Sequence, residues 1–325
     1  MSPTRSATAI AHPNIALAKY WGKRPTEGNV PATPSVSVTL SGLSTRTNVT
    51  FDDQLSDDDL VLGGAPVTGK PRDRVRALLD EVRALAKVKA RARVVTDNDF
   101  PTASGLASSA SGFAALARAA TAALQLDVAP AALSRIARRA SASAARSVFG
   151  GFVALGTEDD AEAEPLADVS HWAVAIVVAA VTHGEKAIGS TEAMERTRRT
   201  SPYYPAWLDD APKLAAEVRA AILARDLEKL GTAAEASALR MHACALAASP
   251  AIVYWTAATL ELLAAVRAMR ADGLSAWATI DAGPHVKILC AASDAPKIVA
   301  RVQALCVRTI VASPGEGARI VEAAS

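Results

Sequence analysis

The feature that most restricts how this chain can fold is the stretch 101–113, PTASGLASSASGF. It lies between a polar turn (Asp97, Asn98, Asp99) and FAALARAATAAL, a run of strong helix formers without Pro or Gly. Small residues and hydroxyls at that junction predict a loop over 105–111 that turns into a helix N-terminus. Such a terminus presents unpaired N–H groups and roughly half a positive charge, which suits a phosphate. Small side chains let the backbone approach an anion, and Ser108, Ser109 and Ser111 offer hydroxyl donors or a Mg2+ ligand. No Lys follows the glycines, so the P-loop signature is absent and any cation must come from elsewhere in the chain. The same residues also suit a plain helix cap, and the loop alone does not choose between the two.

Before this stretch, 6–10 reads as a first strand. Residues 14–23, NIALAKYWGK, alternate apolar groups with Asn14, Lys19 and Lys23 until Trp21-Gly22 breaks the run. They suit either an anion cradle or a solvated edge strand guarded by lysines. Residues 31–41 begin as a turn and end as a strand, with 45–51 as the expected hairpin partner. Gly63-Gly64 predicts a hairpin tip. Helical spacing over 72–86 puts Val75, Leu78, Leu79, Val82 and Leu85 on one face. Arg72, Arg74 and Arg76 crowd its first turn against the helix dipole, so at least one should face an anion, unless all are solvated. Residues 91–97 form a strand into the central loop.

After the long helix, 130–139 predicts another, with Pro130 at its first position. SASAARSVFGGF follows. Ser143 and Arg146 would share a helix face and, with Ser141, form a second candidate anion site or a capped helix with a surface arginine. Residues 152–155 read as a strand, and 157–164 as an acidic solvated loop. A buried strand over 172–182 precedes a charged helix, then three helices over 206–270 broken at Arg225-Asp226 and Ser249-Pro250. A strand over 276–280 ends in Asp281-Ala282-Gly283-Pro284, 286–290 returns beside it, a helix runs over 296–306, and 307–312 closes the sheet. An Asp at such a strand end is placed either to serve a cleft or to form a turn.

The 325 residues suffice for two domains, expected as 1–182 and 183–325. A formal charge of +2 argues against a nucleic-acid surface. Cys244, Cys290 and Cys306 lack metal-type spacing and are expected as buried reduced thiols. The opening MSPTRSATAIAHPN has no apolar core of signal-peptide length, and the longest apolar run is too short to cross a bilayer. The expected place is the cytoplasm, without membrane or nucleic-acid partners.

Taken together, NIALAKYWGK, SVSVTL, FPTASGLASSASGFAAL, SASAARSVFGGF, GSTEAM and TIDAGPHV, in that order, resemble the mevalonate diphosphate decarboxylases. These belong to the superfamily of galactokinase, homoserine kinase and mevalonate kinase (the GHMP kinases). The resemblance implies an α+β fold of two domains, ribosomal protein S5 domain 2-like at the N-terminus and ferredoxin-like at the C-terminus, with the site in the cleft between them. It implies ATP and Mg2+ as co-substrates, mevalonate 5-diphosphate as substrate and a homodimer. Asp281 matches the catalytic aspartate and Lys19 a lysine beside it. Tyr20, Lys23, Ser141, Ser143, Arg146, Ser190 and Met194 match the substrate pocket, with Arg74 as a diphosphate-binding arginine. Asn14, Gly105, Leu106, Ala107, Ser108 and Ser109 match the ATP side, and Ser109 the metal ligand. Thr33-Pro34, the segment SASAAR and His285 depart from the pattern; His285 is expected to serve the loop rather than a ligand. The alternatives are a decarboxylase of the 5-phosphate, a kinase that stops at the 3-phosphate, and a sensor without catalysis.

Overall fold

The computed structural model describes residues 5–100, 108–182 and 188–323. The first stretch holds strands β1 (Arg5–Ala11), β2 (Asn14–Ala18), β3 (Ser35–Thr39) and β4 (Thr45–Asp52), a hairpin of β5 (Asp59–Leu62) and β6 (Ala65–Pro66), helix α1 (Lys70–Ala86) and strand β7 (Arg91–Asn98). The second holds helices α2 (Ser108–Ala123), α3 (Pro130–Ala140) and α4 (Ala144–Ser147), then strands β8 (Phe152–Leu155), β9 (Ala163–Ala167) and β10 (Val174–Ala180). The third holds helices α5 (Ser190–Thr200), α6 (Tyr204–Ala224), α7 (Leu227–Leu246) and α8 (Ala257–Ala271). It continues with β11 (Trp277–Ile280), β12 (Val286–Ala291), α9 (Ala295–Val302), β13 (Arg308–Ala312) and β14 (Arg319–Ala323).

The strands form sheets in the orders β14-β1-β4-β7-β5-β6, β2-β3-β8-β9 and β11-β12-β10-β13. β4 alternates between buried and more exposed positions along TRTNVTFD, as a strand with one wet face should. β3 and nearly all of β10 are buried on both faces, so they lie inside the molecule. This contrast explains a departure from the sequence reading. β3 and β4 are close in sequence but do not form a hairpin: β4 pairs with β1 and β7, and β3 with β2 and β8. A strand buried on both faces and a strand with one solvent face belong to different layers.

The nearly all-round apolar α2 sits against β1 and β4, with α1, α3 and α4 around it. Its alanines let these neighbours approach closely. On α1, Val75, Leu78, Leu79 and Val82 are buried as the spacing predicts, whereas Leu85 is exposed in the last turn. α8 and α9 cover one face of the β11-β12-β10 sheet, and α6 and α7 fill the space between its other face and β2-β3-β8. The helix breaks at Arg225-Asp226 and Ser249-Pro250 fall where expected.

β10, which lies before residue 182, pairs with β12 and β13. β14 returns to pair with β1, a strand absent from the sequence reading. β9 begins inside 157–164, where the sequence predicts an acidic loop, and pairs with β8. Cys244 and Cys290 are buried and Cys306 is half-buried; all three are free thiols.

Candidate active site

Asp281 and Lys19 meet where two sheets come together. Lys19 follows β2, is 2 % exposed, and directs Nζ to the Ala16 carbonyl at 2.7 Å and to Asp281 Oδ1 at 2.6 Å. Asp281 follows β11 and retains 27 % of its side-chain exposure, so the carboxylate has one open side. Its Oδ2 lies 3.2 Å from Lys287 Nζ, on β12, opposite Thr279. Helix α7 holds both partners from behind. Ser237 Oγ accepts the Lys19 backbone N–H at 2.9 Å, and His242 Nε2 donates to the Asp281 carbonyl at 3.2 Å.

The charges follow from this packing. Burial pushes the Asp281 carboxyl up, but Lys19 and Lys287 more than reverse this and hold it well below the usual carboxylate range. Burial lowers Lys19 to about 8, with the attraction of Asp281 only partly opposing it. Burial, aided by the charge on Lys19, lowers His242 to about 4, so its ring is neutral at pH 7 and free to donate from Nε2.

Beside this centre opens a cleft of about 1740 Å³ lined by Tyr20, Lys23, Arg74, Ser108, Ser109, Ser141, Ser143, Ser190 and Met194, among others. Asp281 and Lys19 are not in its wall; Tyr20, next to Lys19 in the chain, is. The acids of the cleft are already taken: Glu81 pairs with Arg139, Glu192 with Arg196 and Glu195 with Arg198. Lys23 and Arg74 have no carboxylate partner among the described residues. Lys23 Nζ donates to Asn29 Oδ1 at 2.6 Å and Thr191 Oγ1 at 3.1 Å, and burial, then the nearby Arg74, lowers it to about 8. Arg74 donates to the Ala140 carbonyl at 2.6 Å and lies over the Phe113 ring at 4.5 Å. The anion expected of the arginines on α1 is therefore Asp57 for Arg72 and Arg76, while Arg74 faces the cleft.

The Ser141 and Ser143 hydroxyls lie 3.2 Å apart in the wall, but Arg146 does not share their side. It is 1 % exposed, with Nε on Ser37 at 2.9 Å, Nη1 on Ser35 at 2.7 Å and Nη2 on Asn14 Oδ1 at 3.1 Å. α4 is a single turn, too short for the helix-face argument to govern where Arg146 points. Asn14, expected on the ATP side, is buried and spends its amide on the Ser143 carbonyl and Ser147 Oγ. Gly105, Leu106 and Ala107 lie outside the described residues, while Ser108 and Ser109 open α2 at the edge of the cleft. Thr33 accepts the Trp21 N–H at 3.4 Å, and buried His285 accepts that of Val181 at 3.2 Å.

Sequence reasoning missed Lys287, Ser237 and His242. Lys287 left one signal, a charge inside the otherwise apolar VKILCA. Ser237 and His242 left none, because each acts on a backbone group distant in the chain.

Two family models match the chain: a diphosphomevalonate decarboxylase-like N-terminal domain over 11–167 and a mevalonate 5-diphosphate decarboxylase C-terminal domain over 176–318. A diphosphomevalonate decarboxylase from Aspergillus fumigatus is 35 % identical over 323 residues, covering 92 % of this chain and 80 % of its own. The crystal structure of mevalonate diphosphate decarboxylase from Staphylococcus aureus superposes with a TM-score of 0.93 at 37 % identity, covering 98 % of both chains. A structure of MDDEF in complex with MVAPP, AMPPCP and magnesium superposes with a TM-score of 0.92 at 39 % identity, covering 98 % of this chain and 99 % of that one.

Proposed function

The chain belongs to the diphosphomevalonate decarboxylase family, and from that premise we propose how its cleft carries out the family's reaction. The enzyme converts (R)-mevalonate 5-diphosphate and ATP to isopentenyl diphosphate, ADP, phosphate and CO2. One observation carries the reading: an ionised Asp281 held by Lys19 lies beside a cleft whose Lys23 and Arg74 have no carboxylate partner among the described residues.

The substrate's tertiary alcohol is a very weak acid, and Asp281 is a weaker base than an ordinary carboxylate. It therefore does not remove the proton in advance. It orients the hydroxyl and accepts the proton late, as the new O–P bond forms. Lys19 is protonated at neutral pH, fixes Oδ1 and offsets the charge that develops on the transferred group. Once phosphorylated, the tertiary carbon loses phosphate with carbocation character, and the neighbouring carboxylate leaves as CO2. Lys23 and Arg74 take the 5-diphosphate, and the Ser141, Ser143, Ser190 and Tyr20 hydroxyls complete its wall, with Met194 as the apolar contact. Arg146, 5.9 Å from the Tyr20 ring, lends the pocket a fixed positive charge from behind that ring.

ATP enters at the start of α2, with Ser108 and Ser109 facing its phosphates, and MDDEF bound to MVAPP, AMPPCP and magnesium supports that pairing of ligands. Among the described residues no group of three His, Cys, Asp or Glu is placed to hold a metal ion. A Mg2+ that keeps phosphate and water oxygens needs only one or two protein oxygens, so the Ser109 hydroxyl fits that part. When bound, Mg2+ neutralises charge on the transferring phosphate. A cytoplasmic homodimer of two domains per chain completes the proposal, with reduced Cys244, Cys290 and Cys306 and ATP as co-substrate supporting the setting. No helix among the described residues is long and apolar enough to cross a membrane.

A product assay tests the function. The protein is incubated with ATP and Mg2+ and, separately, with mevalonate, its 5-phosphate and its 5-diphosphate. Equal ADP and CO2 from the diphosphate is the expected result. CO2 from the 5-phosphate in preference to the diphosphate would make the substrate the monophosphate. ADP without CO2 would make the protein a kinase, and bound ligand with neither product would make it a sensor.

A further inference from the structure

The function proposed above uses one lysine at Asp281, yet two are present. Lys287 enters from β12, whose other residues from Val286 to Cys290 fill the core with apolar side chains. At 1 % exposure its ammonium would be costly without a counter-charge, and Asp281 Oδ2 supplies one at 3.2 Å. Lys19 reaches the other oxygen from β2, a strand of a different sheet. The carboxylate therefore bridges two sheets, with one ammonium on each oxygen.

Resting on that function, we propose that Lys287 is a positioning residue for the reaction. It pins Oδ2 while Lys19 pins Oδ1, so the carboxylate plane is fixed and its remaining lone pairs face the substrate hydroxyl. Two ammonium groups and one carboxylate leave the centre one net positive charge, which favours the departing phosphate. Among the described residues, the other charged or titratable groups whose field reaches Asp281 are His242 on α7, neutral at pH 7, Arg146 on α4 and Tyr20 after β2. None of these contacts either carboxylate oxygen directly among the described residues.

The consequence has a sign. Removing the Lys287 charge lets Asp281 take up a proton at higher pH. It also lets Lys19 keep its proton to higher pH, because the two ammonium groups repel. On the alkaline side of the kcat/KM profile the part set by Lys19 therefore moves upward, while the part set by Lys23 stays.

The test uses the full chain and two variants, Lys287→Met and Lys287→Gln, with CO2 release from mevalonate 5-diphosphate measured from acid to alkaline pH. Lys287→Met should lose about tenfold or more in kcat with KM for either substrate within about threefold, as expected when orientation rather than binding is lost. The alkaline fall in kcat/KM should become shallower, because its Lys19 part moves upward while its Lys23 part stays. Lys287→Gln can still donate to Oδ2 and should recover part of kcat, but not the wild-type steepness of the alkaline fall. Lower activity with an alkaline fall as steep as that of wild type, or a loss confined to KM, would overturn the proposal. So would failure of both variants to fold by far-UV circular dichroism, which would assign Lys287 to the core alone. Wild-type protein run in parallel separates the two ideas: no CO2 from it would refute the reaction itself, not the role of Lys287.

Discussion

In the proposed reaction Asp281 meets a tertiary alcohol with a carboxylate that is a weaker base than usual, so the chemistry would depend on orientation more than on proton affinity. Asp281→Asn keeps the shape and removes the acceptor. It should lower CO2 release at least ~100-fold while leaving ATP binding nearly intact, measured by product assay and equilibrium binding. Release like that of wild type would remove Asp281 from the mechanism. Lys19 and Lys23 make a second test. Burial lowers each to about 8, so both are charged at neutral pH and lose that charge as pH rises through this value. Because kcat/KM reports groups of the free enzyme, it should fall above about pH 8, steeply, as both protons leave. Lys23→Arg keeps its charge at alkaline pH and should make the fall shallower. A profile flat well above that pH would show that neither ammonium is needed.

Among the elements, α7 controls the centre without entering the cleft. Ser237 holds the backbone of Lys19, and His242 holds that of Asp281. The helix can lie this close to β11 because Gly231 faces Trp277. A Cβ there would meet the indole at 2.1 Å. Gly231→Ala must therefore move Trp277 and with it the strand that carries Asp281. Overpacking of this kind should cost about 1–3 kcal/mol of stability, read by urea denaturation, together with a loss in kcat. Unchanged stability and turnover would mean that the spacing between α7 and β11 is not set by that contact.

Over the whole molecule, the chain's end ties the two halves together. After β13 it runs back past Thr39 and Gly151, which bond to Gly315, then past Val148, which accepts the Ala318 N–H, and ends as β14 on β1. Deleting 313–325 removes these bonds and bares the edge of β1. At about 1 kcal/mol for each backbone bond, the loss should reach ~3 kcal/mol or more and lower the thermal midpoint. A midpoint equal to that of the full chain would mean that the tail contributes nothing.

Local pattern made much of this protein legible. Helices announced themselves through apolar spacing and their breaks, as at Arg225-Asp226, because helical bonds join near neighbours. The order of the motifs carried the family and singled out Asp281 and Lys19, whose sequence surroundings are distinctive. Strand partners did not follow from adjacency: β3 and β4 part company, β10 joins later strands and β14 joins the first. Pairing links residues far apart in the chain, and burial on one face or two decides which layer accepts a strand. For the same reason Ser237 and His242 were invisible as parts of the centre, Lys287 showed only as a charge in an apolar strand, and Arg146 turned inward. Their partners were fixed only when sheets and helices packed, because a buried ammonium, guanidinium or imidazole must find its counter-charge or hydrogen bond wherever the fold supplies one.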